Sequence, residues 1–104
     1  MTAADEPQLT EDRSGGRFVA RIGGREAGAA HYRRSGERIV LTHTEVDEAY
    51  EGRGIGGALA RYALDTARAE AKRVVPLCPF IAAYIAQHGE YADLVDRPDR
   101  PVAQ

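Results

Sequence analysis

Four glycines fall within six residues of the stretch Tyr50-Glu51-Gly52-Arg53-Gly54-Ile55-Gly56-Gly57, and a helical pattern begins immediately after them. Glycine lacks a Cβ, so the backbone can turn tightly and bring its N–H groups close to a ligand. A helix that follows adds its own unpaired N–H groups and the positive end of its dipole. Together these suit a phosphate or diphosphate. One tight turn with a close helix–sheet contact would need fewer glycines. Two side chains could do chemistry nearby. His43 lies toward the end of the strongest strand pattern, where an imidazole could take a proton from an amine or a thiol. Cys78 closes a short apolar run just before Pro79, and a helix N-terminus favours thiolate. The commoner fate of a lone cysteine is a small buried hydrophobe. His31 reads as structural or exposed, and His88 suits a helix C-terminus. Neither these histidines nor Cys78 shows metal-ligand spacing, so no metal is expected.

The elements that would position these residues follow from periodicity. Residues 17–22 alternate, with Phe18, Ala20 and Ile22 on one face, and read as a strand. Gly23-Gly24 is a hairpin signal. A strand richer in Ala and Gly follows over 26–33, and Arg34-Ser35-Gly36 turns the chain again. Residues 38–46, with Ile39-Val40-Leu41 at the centre, complete an antiparallel meander. After the glycine loop, Ile55, Leu59, Tyr62, Ala63, Thr66 and Ala67 form one helical stripe, with Arg61, Asp65, Arg68 and Lys72 opposite. Residues 74–78 read as a buried strand. Pro79 can open a second helix, which Gly89 ends. Phe80, Tyr91 and Leu94 read as core.

Strand, helix, strand predicts a right-handed βαβ unit in which 38–46 and 74–78 are parallel. Ligands of such units lie beyond the carboxyl ends of the strands. His43, the glycine loop and Cys78 are therefore expected around one cleft. The expected fold class is α/β (α+β): a compact, mixed, mainly antiparallel sheet with two helices and one parallel βαβ unit. Residues 1–16 read as a flexible arm, 17–95 as the folded domain and 96–104 as a flexible tail.

The chain has 104 residues, which is one domain. A net charge of −2 gives no electrostatic reason to expect nucleic acid or a membrane surface. No apolar run is long enough to span a bilayer. The first residues lack the basic and apolar parts of a signal peptide. One cysteine cannot form an internal disulfide, and a cytoplasmic setting is the natural reading.

Gly52-x-Gly54-x-x-Gly57 matches the dinucleotide fingerprint only formally. No acidic residue ends the next strand, and the chain is too short for a doubly wound sheet. The ATP-type loop needs Gly-Lys-Ser/Thr, which Gly57-Ala58-Leu59 does not supply. A longer pattern fits better. Val46 followed by Tyr50 to Leu59, together with Val74-Val75-Pro76-Leu77-Cys78-Pro79-Phe80 and Tyr84, His88 and Tyr91, resembles the GCN5-related N-acetyltransferases. Within them it is similar to the very small single-domain branch of YjdJ-like or NATD1-like proteins. The likeness runs from about Phe18 to Val95.

That resemblance implies acetyl-CoA as cofactor and acetyl transfer to an amine. The strand end Thr44-Glu45-Val46 would pair with the pantetheine amides. Gly52, Arg53, Gly54, Ile55, Gly56 and Gly57 would hold the pyrophosphate. Glu51 stands where the family has Gln or Arg, and its side chain is expected to face away. Tyr84, one residue off the family position, could return a proton to the departing thiolate. Cys78 takes roughly the place of a family Asn; it could carry the acetyl group as a thioester or shape the acceptor site. The acceptor is left open among a protein lysine, a polyamine, an aminoglycoside and a small metabolite, and so is the oligomeric state. The rival reading is a non-catalytic module that binds CoA or acyl-CoA.

Overall fold

Alternating apolar residues build a five-stranded sheet whose order in space is its order in sequence. The computed structural model describes residues 6–96. Its strands are β1 (Gln8–Asp12), β2 (Arg17–Ile22), β3 (Arg25–Ser35), β4 (Arg38–Val46) and β5 (Arg73–Pro76), and its helices are α1 (Ile55–Ala69) and α2 (Pro79–Gln87). Short 3-10 segments occupy Glu48–Tyr50 and Gly89–Leu94. β1 to β4 pair antiparallel, and β4 pairs parallel with β5. The mixed sheet and the parallel unit are as the sequence predicts.

The expected arm over 1–16 is corrected in part, because Gln8–Asp12 is an edge strand on β2. Its inward residues do the anchoring. Leu9 packs against the core, and Glu11 accepts hydrogen bonds from Tyr32 and from Arg34. Burial opposes the charge on Glu11, but those hydrogen bonds outweigh it and hold the carboxyl below its ordinary range. Residues 1–5, and 97–104 of the expected tail, lie outside the described residues.

Both helices cover one face of the sheet. Ile55, Leu59, Ala63 and Leu64 of α1 and Ile81 and Ile85 of α2 join Phe18, Ala20, Tyr32, Ile39 and Leu41 in a single core. Gly28 lets α1 come close. A Cβ there would sit 2.8 Å from the Glu45 carbonyl oxygen and 3.1 Å from Cγ2 of Ile55. Tyr91 and Leu94 are buried, as expected of core residues. Phe80 is 45% exposed, which corrects its assignment to the core. Among the described residues the other sheet face carries no helix, and the cross-strand neighbours Arg17, His31 and His43 line it.

One irregularity organises the cleft. His31 pairs with His43 while Tyr32 pairs with Leu41, so Thr42 is a surplus residue on β4. Such a bulge bends its strand. It also resets the alternation. Ile39, Leu41, Thr44 and Val46 face the helices, while His43 and Glu45 face the uncovered side.

Candidate functional site

β4 and β5 stay paired only as far as Leu41 and Pro76. The last link between them is the Cys78 N–H, which donates to the Leu41 carbonyl at 3.0 Å. β4 then bends at Thr42, and the chain after Pro76 turns into α2, which Cys78 precedes as N-cap. The two strands part, leaving one edge of β4 open among the described residues. The phase of the ladder settles which groups face that gap. The Asp47 N–H donates to the Ala27 carbonyl at 2.8 Å. By alternation, Glu45 and His43 direct their backbone groups to β3, and Thr44 and Val46 direct theirs to the gap.

The glycine loop closes one end of the gap. Asp47 caps the 3-10 segment by accepting the Ala49 N–H at 2.9 Å. Gly54, with φ 76°, is the N-cap of α1 in a left-handed conformation that few other residues adopt. No side chain caps α1 and no acidic residue lies in its first turn. The first intrahelical bond is Ala58 to Gly54. The N–H groups of Ile55, Gly56 and Gly57 are thus the free donors of that turn. They head a groove of about 330 Å³ lined by Val46, Tyr50, Glu51, Gly52, Gly54, Ile55, Gly56, Gly57 and Phe80. Glu51 is exposed. The Arg53 guanidinium lies 5.6 Å from the Tyr50 ring centroid at the loop tip. A second hollow, of about 340 Å³, shares only Val46 with this groove. Glu26, Glu45 and Asp47 line it, a charge set that repels a diphosphate.

The catalytic candidates do not meet as one cluster. Cys78 is 3% exposed and lies at the parting of the strands, its thiol donating to Oγ1 of Thr44 at 3.3 Å. His43 is turned away from it by the bulge. Its side chain is 64% exposed on the uncovered face, with Nε2 3.7 Å from Oε1 of Glu45. His31 contacts the same carboxylate through Nε2 at 3.1 Å. That hydrogen bond, assisted by the nearby positive charges, holds Glu45 below the ordinary carboxylate range against a smaller effect of burial. The side chain of Glu45 therefore belongs to the uncovered face, while Thr44 and Val46 belong to the gap.

Tyr84 sits on the helix side. Its Cε2 would be 3.8 Å from a Cβ on Gly57, and its ring stacks on His88 at 3.9 Å between centroids. His88 donates from Nδ1 to the Tyr84 carbonyl at 2.8 Å, a helix-closing role. Sequence reasoning missed Phe80 as a groove residue and, for Thr44, a side-chain role beyond the backbone pairing expected of it. Phe80 stands in the groove against Gly56, and Thr44 partners Cys78 through its side chain. The first has no sequence signal apart from its place as the second residue of α2. The second follows only once the bulge is known.

Comparison with known proteins places the chain in a family and matches its fold. A family model described as GCN5-related N-acetyl-transferase matches residues 17–94. Protein NATD1 of Gallus gallus is 37% identical over 83 residues, which cover 78% of this chain and 76% of that protein. Protein NATD1 of Homo sapiens is 36% identical over 83 residues, covering 78% and 74%. A solution NMR structure of a GCN5-like protein from Staphylococcus aureus superposes with a TM-score of 0.65. It covers 98% of this chain and all of that one at 18% identity, a likeness of fold.

Proposed function

Because the chain belongs to the GCN5-related N-acetyltransferase family, we propose that it transfers an acetyl group from acetyl-CoA to an amine at the gap between β4 and β5. The observation that carries this reading is the set of free N–H groups at Ile55, Gly56 and Gly57, opening on a groove that leads to an unpaired strand edge. Anions bind at such helix starts through oriented amides and the helix dipole.

Each residue then has a task. The amides of Gly52 to Gly57 hold the diphosphate, with Arg53 free at the rim to add charge. The backbone groups of Thr44 and Val46 pair with the pantetheine amides as a neighbouring strand would. Backbone N–H groups of this edge stabilise the oxyanion as the acyl group is attacked. An amine entering from the uncovered face passes His43, which takes its proton as the new C–N bond forms. Tyr84, on the helix side, protonates the sulfur as the C–S bond breaks. Cys78, held by Thr44, shapes the inner end of the site. The lone cysteine fits a cytoplasmic setting.

Thermal unfolding with acetyl-CoA tests the reading. Ligand at about a hundred times its Kd stabilises a native protein by about 2.7 kcal/mol. Acetyl-CoA and CoA should therefore raise the Tm by several degrees and NAD should not. Stabilisation without acetylation of any amine would make the chain a binding module. No stabilisation by either would end the proposal.

A further inference from the structure

We propose that Phe80 is a specificity-determining residue, selecting a diphosphate that carries an apolar arm toward the β4–β5 gap; this rests on the acetyl-CoA reading above. Among the described residues Leu77 and Phe80 are the exposed large hydrophobics, and they flank Cys78 and Pro79. A phenyl ring left in water is unfavourable unless something covers it. Phe80 is not a stray surface residue. Its ring tip presses on the first turn of α1, where a Cβ on Gly56 would come within 2.8 Å of Cζ and 3.2 Å of Cε2. It also lines the groove that holds the amides of Gly52 to Gly57.

The ring's position along the groove gives it a purpose. A bare diphosphate needs only the amides at the head of α1. An arm running from those amides to the parted strands passes α2 at its first turn, where Phe80 stands two residues beyond Cys78. Val46 and Ile55 also line this groove. The apolar lining suits the hydrocarbon of a pantetheine arm and gives no benefit to a ligand that ends at its phosphates. Nothing in this role requires Phe80 to touch the reacting atoms.

Calorimetric titration of CoA and of ADP into the full chain separates the possibilities, since ADP keeps the diphosphate and nucleoside but lacks the arm. Phe80→Ala should weaken CoA about five- to tenfold, the fold-change expected for uncovering half a phenyl ring. ADP should change less than about twofold. Phe80→Leu should keep most of the CoA affinity and Phe80→Gln should lose it as Phe80→Ala does, so the conclusion does not depend on one variant folding. Equal losses for CoA and ADP would overturn the proposal, leaving Phe80 as a prop for Gly56 or a partner of the nucleoside. Unchanged CoA affinity would also overturn it. If the native chain binds neither ligand, the diphosphate reading of the loop fails first and this inference falls with it.

Discussion

The thiol of Cys78 donates a hydrogen bond to the hydroxyl oxygen of Thr44 at 3.3 Å, across the point where β4 and β5 separate. A sulfur that is 3% exposed and held against Thr44 has little access to an acyl group. Direct transfer to the amine is therefore the expected route. Cys78→Ser should retain turnover within about tenfold of native. Intact-mass spectrometry after incubation with acetyl-CoA should find no acetyl on Cys78. An adduct that decays as product forms would establish the thioester route instead.

Gly28 and Gly54 should respond to alanine for different reasons. At Gly28 the new methyl meets the Glu45 carbonyl, Ile55 and Leu59, so Gly28→Ala should cost about 1–3 kcal/mol by overpacking. At Gly54 nothing lies within 4 Å, but φ is 76°. Gly54→Ala should cost about 1–2 kcal/mol through the left-handed backbone alone. Gly54→Asn should recover part of that cost, whereas Gly28→Asn should be worse than Gly28→Ala. Urea unfolding of the four variants checks the ordering.

Acid should act partly through Glu11. Its carboxyl is lowered from 4.5 because hydrogen bonds from Tyr32 and Arg34 overcome the cost of burial. Between the lowered value and 4.5 the unfolded chain binds more protons than the native one, so stability rises with pH across that window. It is lost as pH falls through the folded value. Glu11→Gln should flatten this limb of a stability–pH curve and lower stability at neutral pH. An unchanged acid limb would rule out this contribution.

Alkali should act through Tyr91. Burial, aided by its hydrogen bond to Asp65 at 2.6 Å, pushes the phenol up from 10.0 to about 12. Its contribution is fully present below 10 and is lost as pH rises toward 12, since the unfolded chain ionises first. Tyr91→Phe should remove this dependence, and absorbance of tyrosinate during unfolding reads it directly.

Much of the frame was legible because its signals are periodic. The Phe18-Ala20-Ile22 alternation and the Ile55-Leu59-Ala63 stripe each name an element and its buried face. β1 was not legible because Gln8–Asp12 is polar, and only Leu9 hints at an inward side. Its anchor, Glu11 with Arg34 and Tyr32, is a tertiary contact. The glycine loop was legible since glycine spacing reports backbone needs directly. The grouping of His43 with Cys78 was not, because strict alternation from Leu41 turns His43 inward. Thr42 breaks that alternation, and nothing in its side chain announces a bulge. Phe80 looked like core because the sequence gives hydrophobicity but not which helix face remains unpartnered.

The edge of β4 from Thr42 to Val46, unpaired among the described residues, has a further consequence. On the proposed reading, the amides and carbonyls that would pair with a pantetheine can equally accept a strand from another molecule. Cofactor seated there would act as a plug against self-association. If the chain binds CoA as proposed, preparations without it should be the ones that aggregate on concentration, and the remedy would be cofactor rather than a change of buffer.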